Sequence, residues 1–199
     1  MVTSARVPQE ERSRAMRARL MDATIECLVE HGFAGTSTTL ISERAGVSRG
    51  AQLHHFPTKN DLVVAAVEHL TQVRGAELAT AAAAVPHGPH RTRDVLRMLG
   101  DHFVSPVFVA ALELWVAART DPTLLSAVAP LEQKVGRETH RMTVRLLGAD
   151  ESRPGVRQLV QATLDLVRGL GLAATITDDS RRRNRILDQW ARTLDGALS

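Results

Sequence analysis

The 199-residue chain is expected to be all-α. An N-terminal three-helix helix-turn-helix domain should occupy residues 1–60 and a helical body residues 61–199. Three observations predict this. Ala, Leu and Arg dominate the composition and β-branched runs are few, which favours helix over strand. Apolar residues recur at i, i+3, i+4 and i+7 in one segment after another. Gly, Pro and small hydroxyl residues punctuate those segments where helices start and stop.

Hydrophobic residues make up 44% of the chain, enough for a sizeable core, while aromatics are only 3% and Tyr is absent. The 25 basic and 22 acidic residues nearly cancel to +3, a balance compatible with a nucleic-acid partner but weak evidence for one. The single cysteine, Cys27, cannot form an internal disulfide. It reads as a small buried hydrophobe, which suits a reducing cytoplasm. Residues 1–14 are polar, so no signal peptide is expected there. No apolar run approaches the roughly 20 residues that span a bilayer, so a soluble cytoplasmic protein without membrane attachment is expected.

Residues 1–9 read as an arm ending at Pro8. Arg6, Arg12, Arg14 and Arg17 follow along the arm and the first helix, either as an ordinary solvated face or as phosphate contacts. The first helix should run from Gln9 to His31, burying Leu20, Ala23, Thr24, Cys27 and Leu28 on one face. Gly32 closes it and Phe33 anchors the loop. Ser37 then caps a short helix carrying Ile41 and Ala45, Gly46 stops it, and Val47 plugs the turn. Ser48 caps the next helix. Leu53 and Phe56 are expected to face back toward Ile41, leaving Arg49, Gln52 and His54 outward. A short capped helix with donors on its open face has the size and chemistry to enter a major groove. The same residues contain a rival motif, because Gly46-Val-Ser-Arg-Gly50 matches the G-x-S-x-G elbow of hydrolases with Ser48 as nucleophile. That elbow needs a preceding strand, and Thr39 to Ala45 reads as helix, so the cap is preferred.

The run Gly32-Phe33, Thr36-Ser37, Ile41-Ser42, Ala45-Gly46-Val47-Ser48, Gly50, His55-Phe56, Lys59 and Leu62 resembles the DNA-binding domain of the TetR (tetracycline-repressor) family. The likeness covers about the first third of the chain. Two positions depart from it. Ser42 stands where the family usually has Ala. Leu53 stands where it usually has Tyr or Trp, so the backbone hydrogen bond of that aromatic is not inherited.

Further along, Thr58-Lys-Asn-Asp61 forms a capping box with Asp in place of Glu. The helix it opens should continue to Ala83 with Leu62, Ala66, Val67, Leu70 and Val73 on one side. Lys59 opposes the helix dipole in its first turn and calls for an anion, either Asp61 or a DNA phosphate. Residues 84–90 form a loop, where His87 and His90 lack the further ligands of a metal site, so no metal is expected. Helices should follow over 92–104, then from Pro106 through Ala118, then from Pro122 past Pro130 to Leu147. The second of these is apolar on every side and should be buried. Its one charge, Glu113, is either paired internally with an Arg or His or is a polar anchor in a ligand cavity beside Phe103, Phe108 and Trp115.

Two more helices close the chain, over 156–175 and 180–198. Gly169-Leu-Gly-Leu-Ala-Ala174 matches a nucleotide-binding fingerprint but has no strand before it, so close helix packing explains it better. Arg181, Arg182, Arg183 and Arg185 read as a solvated face or a second anion site. No cofactor is expected.

The resemblance implies a dimeric, ligand-responsive transcriptional regulator, read here as a repressor on a palindromic operator in double-stranded DNA. It implies that the two last helices build a four-helix homodimer interface and that the body holds a pocket for an unknown small-molecule effector. Arg49 would read guanine and Gln52 adenine. Ser37, Thr38, Thr39 and Lys59 would hold phosphates, with Ser48, Gly50, Leu53, His54 and His55 completing the DNA-contacting set. A DNA-binding regulator without an effector is the alternative. An enzyme is the least favoured class, since the chain has neither H-E-x-x-H nor E-x-x-H.

Overall fold

The computed structural model describes residues 9–86 and 88–198, and among the described residues there are nine helices and no strand. The arm up to Pro8 with Arg6, and His87, lie outside the described residues, as do the side chains of Leu70 and Val73. The helices are α1 (Gln9–Gly35), α2 (Thr38–Ala45), α3 (Arg49–His55), α4 (Lys59–Ala84), α5 (Arg91–His102), α6 (Pro106–Ala118), α7 (Pro122–Leu147), α8 (Val156–Ala174) and α9 (Ser180–Leu198). None of them is long and apolar enough by itself to cross a membrane.

Two compact units result, and neither is contiguous in sequence. The first gathers the chain through Leu70 with Ala110–Val128, and the second takes Thr71–Val109 with Ala129 onward. The division expected after residue 60 falls inside the first unit, where Leu62, Val63 and Ala66 of α4 are fully buried.

In the first unit α1 packs on α2, and α2 on α3. Leu20, Cys27 and Leu28 of α1 and Ile41 of α2 are fully buried, as the helical spacing predicts. Burial also pushes the Cys27 thiol up from its ordinary value. Arg44 of α2 ties the pair on the outside, with Glu30 at 2.5 Å and Glu26 at 3.7 Å. Such exposed pairs contribute little. Helix α1 is interrupted at Gly32, whose φ of 65° is left-handed and open to glycine at low cost. Helix α6 departs from its expected burial. Leu114 and Ala118 face inward, but Val116 is 60% exposed, because an apolar composition does not oblige every face of a helix to find a partner.

The second unit is built from α5 against α8 and α9, with α8 on α9. Val95, Leu96 and Leu99 meet a core that includes Val160, Val167, Leu187 and Leu194, all nearly or fully buried. Gly171 lets α8 approach the end of α5. A Cβ there would lie 2.2 Å from the Phe103 carbonyl oxygen, so close packing explains the glycine and no nucleotide motif is needed. Trp190 of α9 donates its indole N–H to the Thr163 hydroxyl on α8 at 3.0 Å.

Ser42 is buried in α2, and its hydroxyl oxygen has no hydrogen-bond partner. A buried unmatched polar group costs about 1–3 kcal/mol. Ser42→Ala should therefore stabilise the protein by about 1 kcal/mol, read as a higher urea midpoint with an unchanged slope. A lower midpoint would mean that the hydroxyl is satisfied in solution.

Candidate nucleic-acid interface

The helix-turn-helix is assembled from local caps. The Ser37 hydroxyl accepts from the Leu40 N–H at 3.1 Å and opens α2. Gly46 ends that helix at φ 62° and ψ 39°, with its N–H on the Glu43 carbonyl. The Val47 N–H turns back to the Ser42 carbonyl at 3.0 Å. The Ser48 hydroxyl then accepts from the Ala51 N–H at 3.2 Å and opens α3. Ser48 is therefore engaged as a cap, and a helix rather than a strand precedes it. Both features run against the hydrolase elbow.

Helix α3 has seven residues and two unlike sides. Gln52 and Phe56, one turn apart, face inward at 0% and 2% exposure. The expectation that Gln52 faces outward and reads adenine is thus corrected. Its amide nitrogen donates to the Phe56 carbonyl oxygen at 2.6 Å, which satisfies the end of α3 from inside. Leu53 is corrected the other way. It does not face Ile41 but stands 44% exposed. Arg49, Gly50, Leu53 and His54 are all exposed, and their i, i+1, i+4, i+5 spacing makes one continuous open face. His55 is half-buried, with its ring edge-on to His54 at 5.3 Å. Ser37 and Thr39 are exposed and Thr38 is half-buried at the start of α2.

The remaining basic residues divide. Arg17 lies 4.5 Å over the Phe56 ring and braces the end of α3 from α1, a contact the sequence pattern did not reveal. Arg12 donates to Gln9 at 2.8 Å, and Arg14 is exposed. Asp61 closes a capping box with Thr58, its carboxylate accepting from the Thr58 N–H at 3.1 Å and hydroxyl at 2.7 Å. Asp61 is thus committed to Thr58, and Lys59 has a different partner. The Lys59 ammonium donates to the Phe33 carbonyl oxygen and sits 3.9 Å over the Phe33 ring. Burial lowers its pKa from the ordinary lysine value. An ammonium has three N–H donors, so two remain beside the one on Phe33.

Among the described residues Glu113 pairs with neither an Arg nor a His. One of its oxygens accepts from the Phe33 N–H at 3.1 Å and lies 2.9 Å from where a Cβ on Gly32 would be. The internal-pair expectation named the wrong partner, because a backbone N–H 80 residues away leaves no trace in sequence spacing. Glu113 and the half-buried Trp115 belong to the first unit, and Phe103 and Phe108 to the second. The two phenyl rings are buried edge-on at 5.3 Å.

Comparison with known proteins places this arrangement. Residues 20–66 match the model of bacterial regulatory proteins of the tetR family. The HTH-type transcriptional regulator CymR of Pseudomonas putida is 31% identical over 189 residues, covering 89% of this chain and 88% of that one. A putative transcriptional regulator from Pseudomonas aeruginosa PAO1 superposes with a TM-score of 0.72 at 24% identity, over 98% of this chain and 95% of that one. The multidrug binding protein EbrR, solved with imidazole, gives 0.58 at 26% identity over 87% and 93%.

Gln52→Ala should destabilise the fold by about 1 kcal/mol, since it opens a cavity and leaves the Phe56 carbonyl unpaired but also removes the Gln52 Oε1, which is buried without a partner. At temperatures where the variant is folded, its choice among DNA sequences should match the parent's. A changed preference at one base position, with stability intact, would return Gln52 to the interface.

Proposed function

The chain belongs to the TetR family of bacterial regulatory proteins, and on that basis we propose that it is a cytoplasmic homodimeric repressor that leaves a palindromic operator when a small molecule binds. The observation that carries the DNA half is the open face of α3, with Arg49, Gly50, Leu53 and His54 exposed above a buried underside. Arg49 can donate a bidentate pair to guanine O6 and N7. Leu53 supplies apolar contact suited to a thymine methyl, and His54 meets a base edge or a phosphate. Ser37, Thr38 and Thr39 hold the flanking phosphates, joined by the two N–H groups that Lys59 has beyond Phe33. Two such heads related by a two-fold axis read half-sites about one DNA turn, roughly 34 Å, apart.

The apolar sides of α8 and α9 support the dimer. Leu166, Ile186 and Trp190 line one shallow recess together with Arg182 and Arg185. The effector half is supported by EbrR, a ligand-binding protein of similar fold. A ligand acts by favouring a spacing of the heads that misses the operator. Phe33 is the point through which α4 and α6 reach the head, since Lys59 and Glu113 both hold it. Protein–DNA regulation accounts for Ser48 as a cap, and no catalytic role is assigned.

Two measurements test this reading. Operator duplexes are first selected in vitro from random sequence. Arg49→Ala should then bind its operator about 1–3 kcal/mol more weakly and relax one base position, whereas equal losses on operator and random duplex would exclude base reading by Arg49. Ile186→Lys places a third positive charge beside Arg182 and Arg185. Sedimentation at micromolar concentration should find this variant monomeric, with operator affinity reduced about tenfold or more. A dimer of unchanged strength would reject the α8–α9 interface.

A further inference from the structure

A groove of about 610 Å³ runs between α7 and α8 in the second unit, within the size range of small-molecule sites. Arg137 and Arg141 stand one turn apart on the α7 wall, and Arg157 and Arg168 on the α8 wall. Four arginines thus face only two carboxylates, Glu151 and Asp165. Both carboxylates are already engaged. Glu151 takes the His140 ring nitrogen at 2.8 Å and an Arg157 nitrogen at 3.3 Å on the same oxygen. Asp165 accepts from Arg168 at 2.7 Å.

Two positive charges are therefore left over. Among the described residues Arg137 and Arg141 have no carboxylate partner, the Arg141 Nε donating only to the Arg137 carbonyl oxygen at 3.3 Å, and like charges at i, i+4 repel. Across the groove the Arg168 Nε is buried with no hydrogen-bond partner. The floor is apolar at Leu164 and open at Gly136, where an added Cβ would touch nothing within 4 Å. Guanidinium groups present paired donors in a fork that matches carboxylate and phosphate oxygens. The groove does not compete with the apolar dimer face, because Leu166 is two residues from both Leu164 and Arg168 and so points to the opposite side of α8.

We propose that this groove binds a small organic anion bearing carboxylate or phosphate groups, held between the Arg137–Arg141 pair and Arg168. Calorimetric titration of the full chain with citrate and with pyrophosphate, each against sodium chloride at matched ionic strength, tests it. At least one anion should bind saturably, one per chain. A response to citrate alone identifies a carboxylate ligand, to pyrophosphate alone a phosphate ligand, and either supports the site. The double variant Arg137→Gln, Arg141→Gln should weaken binding about tenfold or more. Gly136→Leu should do the same by filling the floor while leaving every charge in place, and Leu is the better helix former, so this variant should fold. Binding no tighter than chloride, or parent-like binding by both variants, would overturn the proposal.

Discussion

Phe33 is held on three sides, and the DNA-binding head depends on that grip. Its N–H donates to Glu113 on α6, its carbonyl accepts from Lys59 on α4, and its ring lies under the same ammonium. The residue before it, Gly32, adopts a left-handed φ that a Cβ would strain, and its bare face receives the Glu113 carboxylate. One turn thereby joins three helices that are far apart in sequence. A half-buried carboxylate and a half-buried ammonium thus each offset part of their own desolvation through a backbone group of the same residue.

That grip orients the remainder. Helix α3 is too short to be stable alone, and its position comes from beneath. Gln52 and Phe56 fill the underside, the Gln52 amide closes the last carbonyl, and Arg17 stacks on the Phe56 ring from α1. With those residues inward, geometry leaves Arg49, Gly50, Leu53 and His54 outward. The proposed reading face is the complement of a packing face, so one inward glutamine changes which donors the open side of α3 presents.

Much of this was legible in the sequence because it is local. The caps at Ser37, Gly46, Ser48 and Thr58 act within four residues of themselves, and each formed as the spacing predicted. The stripe on α1 was legible because the helix runs for several turns. Gln52 was not, because α3 offers too few turns for periodicity to mark its inner side, and glutamine is polar by composition yet buried by position. The Glu113 contact spans 80 residues and joins a carboxylate to a backbone group, so no residue type announces it. The compact units were illegible for the same reason, since Ala110–Val128 joins the head's unit only through three-dimensional packing.

The central claim is that the outer side of α3 lies in a DNA groove. It can be tested by placing a photo-crosslinking amino acid at Leu53, with a control at Leu172, which is 49% exposed on the second unit. The account predicts crosslinks from position 53 to bases of a bound duplex and none from position 172. A variant that still binds duplex but crosslinks from neither position, or equally from both, would contradict it.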